Sequence, residues 1–273
     1  MKPYQALNET DWEQVERIHE LLDEGELEQA RGAVDRLLRR RPEQPDLRVL
    51  DATIRLEEGE AALALKALAG AERSADPAHF FYLRAAAHYD LVEFAEARAD
   101  AERALAIHAE YPHAWDLLSR VHEHEGDAAA ATLASERANQ IDPEGFPLPL
   151  ELRDAEFDAL VEKSVRELPA AIRKKLDEMP VLVQGLPSRE MLTAEEPPLA
   201  PDLLGLFVGR HIFASSSAAA PSAPGAIYLF RRNLLRACSD LDELAREVGI
   251  TVRHEVGHLM GLDEDELDDW GLA

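Results

Sequence analysis

His254, Glu255 and His258 stand in the order H-E-x-x-H, and Gly261 and Glu264 follow to complete H-E-x-x-H-x-x-G-x-x-E. On a helix, residues four apart leave the same face on successive turns. Two imidazoles so placed reach one tetrahedral zinc at roughly 2.0–2.1 Å. Glu255 falls on the adjoining side of the helix. It misses the ligand corner but reaches a water held there, which is where a general base belongs. Gly261 marks the end of the helix, because glycine accepts the left-handed conformation that turns a chain back. That turn brings Glu264 toward the metal as third ligand. Two histidines, one carboxylate and a water form a catalytic shell around one Zn2+ per chain, with a position left open. Asp263 and Asp265 flank Glu264 and compete with it for the third position. Two plainer readings stand beside this one. H-E-x-x-H can arise by chance on an acidic helix, and the acid-rich run after Leu262 can be a solvated tail. The glycine and the carboxylate at matching offsets count against chance.

The elements that position these residues lie upstream. Leu241, Leu244, Val248, Val252 and Leu259 recur at helical intervals, so one side of the motif helix faces a core. Ser239 and Asp242 have the spacing of a capping box, with Asp in place of the usual Glu. Phe157, Leu160, Val161, Val165 and Leu168 give a second helix face from Asp154, and Pro169 opens a short helix through Met179. Val181–Val183 and Ala226–Arg231 read as strands, the latter the stronger and followed by the motif helix. Residues 193–201 form a Pro- and Glu-rich loop, and residues 215–224 an Ala/Ser/Pro-rich mobile one. The strand at Ile227–Phe230 is the candidate for binding an extended substrate by strand addition. His211, Tyr228, Arg231 and Arg232 are weaker candidates. The histidine can stabilise an oxyanion and the tyrosine can polarise a carbonyl. The arginines can meet a carboxylate, with exposure and surface pairing the default for each.

With these features in place, residues from about 154 to the end resemble the minimal zincin family, small metallopeptidase-like domains related to metzincins. The resemblance rests on the opening helix with Phe157 and Leu160, the strand after Pro180, Leu204-Gly205-Leu206, the Ile-x-Leu-Phe-Arg strand and the run from His254 to Glu264. It implies a small α+β zincin-like domain, zinc on His254, His258 and the acidic Glu264, and Glu255 as base. Few residues follow Glu264, so the Met-bearing turn of larger metzincins is not expected.

The first half repeats itself. Ala30, Ala64, Ala97 and Ala131 recur at intervals of 33 or 34 residues, and Leu37, Ala71, Ala104 and Ala138 follow seven behind. Gly25-Glu26, Gly59-Glu60 and Gly126-Asp127 are turn signals between paired helices, and Pro42 and Pro143 end units by refusing to continue a helix. The pattern resembles the tetratricopeptide repeat, with about four units of two antiparallel helices. The third unit departs from it, with Val92 where glycine is expected and Ala109 in place of proline. Stacked units form an all-α solenoid whose concave face, as the resemblance implies, holds a peptide or partner protein. A rigid spacer is the equal alternative. His88 and His122 occupy equivalent repeat positions, where packing is favoured over a second metal site. His108, His113 and His124 have no ligand spacing with a carboxylate.

The expected organisation is therefore a repeat array over 8–143, a Pro-rich linker over 144–153 and a zincin-like domain over 154–273. The net charge is −25, from 29 basic and 54 acidic side chains. Both halves share the excess, which excludes the basic footprint of a nucleic-acid binder and disfavours an anionic membrane surface. A single cysteine, Cys238, allows no internal disulfide. No secretory leader and no apolar membrane span are read in the sequence, so a cytoplasmic protein is expected. The function expected is a zinc-dependent peptidase with a repeat array that binds a polypeptide substrate or partner. The alternative is a catalytically idle zinc-binding interaction protein acting through its repeats, and a non-peptide hydrolase is a minor third.

Overall fold

The computed structural model describes residues 7–176, 179–209 and 225–260, leaving aside the side chains at 171, 175 and 258–260. The described chain falls into two compact units, Met1–Phe146 and Pro147–Ala273.

The first unit is four helix pairs. They are α1 (Glu9–Asp23) with α2 (Leu27–Arg40), α3 (Pro45–Glu57) with α4 (Ala61–Leu68), α5 (Pro77–Asp90) with α6 (Phe94–Ile107), and α7 (Pro112–Glu125) with α8 (Ala128–Ile141). Each helix packs on the next in sequence, and α5 also meets α3 and α7. This is the tetratricopeptide-type solenoid expected from the repeats. Ala30, Ala64 and Ala97 are fully buried and Ala131 nearly so. With only a methyl group at these positions, the helices of a pair approach closely. Asn8 and Asp11 form the capping box that starts α1, and the buried Asp11 carboxylate also meets Arg41 Nε at 2.7 Å.

One backbone bond closes all four pair turns. It runs from Glu26 N to Leu21 O, Glu60 N to Arg55 O, Glu93 N to His88 O and Asp127 N to His122 O, at 2.7–2.9 Å. This is the Schellman closure, which needs one left-handed residue before the donor. Gly25, Gly59 and Gly126 supply it with φ of +74°, +73° and +82°. In the third unit Val92 does so at φ +61°, a conformation β-branched residues rarely adopt. The degenerate unit therefore keeps the turn without the glycine. The Val92 side chain is almost completely buried, so core contacts hold the strained residue in place.

The second unit is a small three-stranded sheet with helices. Its elements are α9 (Asp154–Glu167), α10 (Ala170–Leu176), β1 (Val181–Gln184), α11 (Arg189–Leu192), β2 (Gly205–Val208), β3 (Ala226–Phe230), α12 (Arg231–Ala237) and α13 (Leu241–Met260). The strand order is β1-β3-β2, with β1 parallel and β2 antiparallel to β3. A single core joins Phe157 and Val161 of α9, Ile227 and Leu229 of β3, and Leu244, Val248, Val252 and Val256 of α13. The α9 face is the expected one, with Leu160 and Val165 packed at its margin.

Several expectations need correction. The strand does not lead directly into the motif helix, because α12 intervenes. Leu241 is exposed rather than part of the core face, since it sits at the first helical position, ahead of the stripe that starts at Leu244. The cap is also shifted by one residue. Asp240 Oδ1 accepts from Glu243 N at 2.8 Å, and Glu243 Oε2 accepts from Ser239 N at 2.7 Å, so Asp240 caps the helix and Glu243 reaches back to the residue before the cap, in place of the box expected of Ser239 and Asp242. The Ser239 hydroxyl first, and then the Ser239 amide, hold the Glu243 carboxyl below its usual range. Ile227–Phe230 is the central strand, with both edges paired, and cannot take an added strand. The loop at 215–224, His211, Gly261, Asp263, Glu264 and Asp265 lie outside the described residues.

Candidate functional site

The site is built on α13 where it crosses β2. Leu244, Val248, Val252 and Val256 are fully buried, and the helix packs against α9, β2 and β3. The helix runs without a break through 254 and 258, so these positions lie one turn apart on one face. His254 is half-buried.

Glu255 lies on the core-facing side, in phase with Val248 and Val252, and is only 7 % exposed. A carboxylate in such a place needs a donor. Phe207 N of β2 donates to Glu255 Oε2 at 2.6 Å. The strand register explains why this amide is available. Phe230 N donates to Leu204 O, so alternate residues 204, 206 and 208 turn their hydrogen-bonding groups to β3, while Gly205 and Phe207 turn theirs outward. Among the described residues β2 is an edge strand, and Glu255 takes one of its outward amides.

Four further residues prepare this contact, none assigned a role from the sequence. Gly205 faces α13 so closely that a Cβ would lie 2.4 Å from Thr251 Cγ2. Asn233 of α12 donates through Nδ2 to Pro201 O at 3.0 Å and Leu203 O at 2.8 Å, which fixes the entry to β2. Gly209 and Gly225 leave room for the Phe207 ring, which a Cβ at either would meet. A signal did exist for Gly205: a glycine inside an apolar strand pattern marks close backbone approach. The phase of Glu255 with the valine stripe likewise foretold its burial.

The weaker candidates separate from the motif. Tyr228 alternates with the fully buried Ile227 and Leu229, which join the core with α13, so its ring lies on the opposite sheet face. Arg231 forms an ion pair with Asp154. Cys238 is buried in the core, and burial first, then Glu243, pushes its thiol up to about 11, which disfavours the thiolate a nucleophile needs. In the array, His88 Nδ1 meets Glu93 Oε2 at 2.6 Å and His122 Nδ1 lies 3.6 Å from Glu125 Oε2. His108 and His124 stack on the rings of Tyr111 and Phe94, and His113 meets Tyr82 edge-on. Among the described residues, no three His, Cys, Asp or Glu side chains are grouped to hold a metal. The motif's own donors extend beyond those residues. Imidazoles one helical turn apart, with a carboxylate following, are the donor chemistry zinc prefers, and the unbroken helix at 254–258 fits it.

Comparison with solved structures finds a likeness to the crystal structure of MamA, with 18 % identity and a TM-score of 0.41, covering 63 % of this chain and 90 % of that one. No curated protein matches the sequence. Residues 176–272, from the end of α10 through the sheet and the motif helix, match the model of the zincin-like metallopeptidase family.

Proposed function

We propose that the C-terminal unit is a zinc-dependent peptidase and that the repeat array binds its polypeptide substrate or a partner protein. One observation carries the reading. Positions 254 and 258 lie one turn apart on an unbroken helix, and between them Glu255 is buried and anchored to an edge strand. His254, His258 and Glu264 would hold the metal, with Asp263 or Asp265 the alternatives to Glu264. A bound zinc supplies Lewis acidity toward a water and a peptide carbonyl. Glu255 takes the proton of the attacking water and passes it to the leaving amine nitrogen, with Phe207 N–H holding one of its carboxylate oxygens in place.

The family match supports the peptidase reading over 176–272. The helix-pair array supports the interaction reading, and the acid excess favours a neutral or basic polypeptide over nucleic acid or an anionic membrane. Among the described residues no helix is long and apolar enough to cross a membrane. A lone buried cysteine suits a reducing compartment, and we place the protein in the cytoplasm. We assign the array to 8–143, the linker to 144–153 and the peptidase domain to 154–273. A second reading, an interaction protein with an idle metal centre, draws on the depth at which Glu255 is buried.

Zinc titration of the full chain tests the ligand set. The wild type should take up one zinc per chain, and His254→Ala or His258→Ala should abolish tight binding. Glu264→Ala should weaken binding more than Asp263→Ala or Asp265→Ala. No uptake by the wild type would sink the metal centre, and a worse defect in either aspartate variant would replace Glu264 as ligand.

A further inference from the structure

Glu255 reaches Phe207 N–H where α13 lies close against β2, and the closeness has a local cause. A Cβ added at Gly205 would lie 2.4 Å from Thr251 Cγ2, 3.1 Å from the Tyr228 carbonyl oxygen and 3.5 Å from Glu255 Cγ. Real side chains do not approach to 2.4 Å, so any residue but glycine forces Thr251 to give way. Backbone conformation does not explain the glycine. Gly205 is in a strand and is not among the glycines with positive φ. Space is the reason that remains. Thr251 and Glu255 are one turn apart on the face that meets β2, so displacing Thr251 displaces the Glu255 carboxylate with it. Phe207 cannot follow, because its ring is packed in the core against the room left by Gly209 and Gly225.

We propose that Gly205 is a positioning residue for Glu255: its missing side chain lets Thr251 close on β2 and so sets the hydrogen bond between Phe207 N–H and the Glu255 carboxylate. The inference rests on reading Glu255 as the catalytic base, and it adds a specific pair, Gly205 with Thr251, that governs where that base sits. An error of about 1 Å in such a group costs on the order of 100-fold in turnover.

Amide hydrogen exchange at Phe207, followed by NMR on the full chain with and without zinc, tests the geometry apart from any activity. In the wild type this amide should be protected although it lies on an edge strand. Glu255→Ala should speed its exchange about tenfold or more, the value of a buried hydrogen bond to a charged group. Gly205→Ala should do the same while leaving zinc uptake unchanged. Gly205→Ala with Thr251→Ala removes the obstructing methyl and should restore protection. On an unstructured peptide, Gly205→Ala should lower kcat with little change in KM, and the double variant should recover it. A Phe207 amide that exchanges freely in the wild type would overturn the proposal. So would protection unaffected by Gly205→Ala, or a double variant that fails to restore it. If Gly205→Ala does not fold, a folded and protected double variant still supports the proposal. Failure of both to fold contradicts the role given to the Thr251 methyl. A wild type without peptidase activity would defeat the proposed function and leave the amide result to decide this inference.

Discussion

The repeat array and the C-terminal unit are stabilised in different ways. In the array each helix packs on its neighbour in sequence, the same backbone bond closes every pair turn, and small residues recur at the helix crossings. In the C-terminal unit the decisive contacts are distant in sequence. β1 pairs with β3 across more than forty positions (Val181 with Ile227), and Glu255 finds its donor on β2, 48 residues away. An array of neighbour contacts responds to change locally, unit by unit. A small core assembled from distant segments is expected to respond as a whole.

The sharpest way to break the comparison is to delete a core ring on the C-terminal side. Phe157 is fully buried where α9 meets the shared core. Phe157→Ala should cost about 3–5 kcal/mol and unfold that unit as a whole. Calorimetry should show the C-terminal transition lost or strongly lowered and the array transition unmoved. A coupled loss of both would contradict independent units.

The counterpart in the array is overpacking. Ala97 is fully buried at the crossing of the third pair. Ala97→Leu should cost about 1–3 kcal/mol, with hydrogen exchange rising in α5 and α6 and falling off toward α1 and α2. Uniform destabilisation across all eight helices would argue against nearest-neighbour behaviour.

Acid separates the units in a third way. His79 and His113 are held below the ordinary value of 6.5, first by burial, while Asp76, Asp116 and Asp142 pull against the shift. His113 and His19 also press His79 downward. The fold therefore favours neutral imidazoles, and the unfolded chain binds more protons below pH 6.5. This contribution to array stability is complete above about pH 6.5, declines as pH falls through that value, and levels off below the folded values. Thermal melts of His79→Gln and His113→Gln should lose part of the acid sensitivity between pH 7 and 5. Unchanged sensitivity in both would contradict the assignment.

The smallest effect is expected at Val92. Glycine there removes a left-handed cost of about 1–2 kcal/mol but also a buried side chain worth about 1.5–3 kcal/mol. Val92→Gly should therefore be nearly neutral, whereas Gly126→Ala should destabilise by about 1 kcal/mol, because φ is +82° and no burial is gained. A large loss at Val92 would mean that packing, rather than turn geometry, holds the third unit together.

The same contrast sets how much was legible in the sequence. Helix pairs were readable from Ala30, Ala64, Ala97 and Ala131, because a repeat states each packing contact several times over. The departure at Val92 was visible, but its left-handed backbone was not, since a buried valine in that conformation is held by packing that the local pattern does not state. In the C-terminal unit the motif helix and both stronger strands were legible from local pattern. The strand order was not, and Ile227–Phe230, the most strand-like stretch, became the buried centre instead of an open edge. The most apolar strand is the one a small sheet buries on both flanks. The seat of Glu255 needed two distant pieces, the phase of the valine stripe on α13 and an outward amide on β2. Only the first is local in sequence.

The central claim is that Glu255 works as a base beside a zinc held by its own helix. The most direct test is hydrolysis of an unstructured peptide by zinc-loaded full-length protein and by Glu255→Gln, with the metal content of both measured. The account predicts equal zinc in the two proteins and a fall in kcat of about 10²- to 10⁴-fold in the variant, the contribution of general acid–base catalysis. Equal turnover by the two proteins, or no turnover by a wild type that carries its zinc, would contradict it.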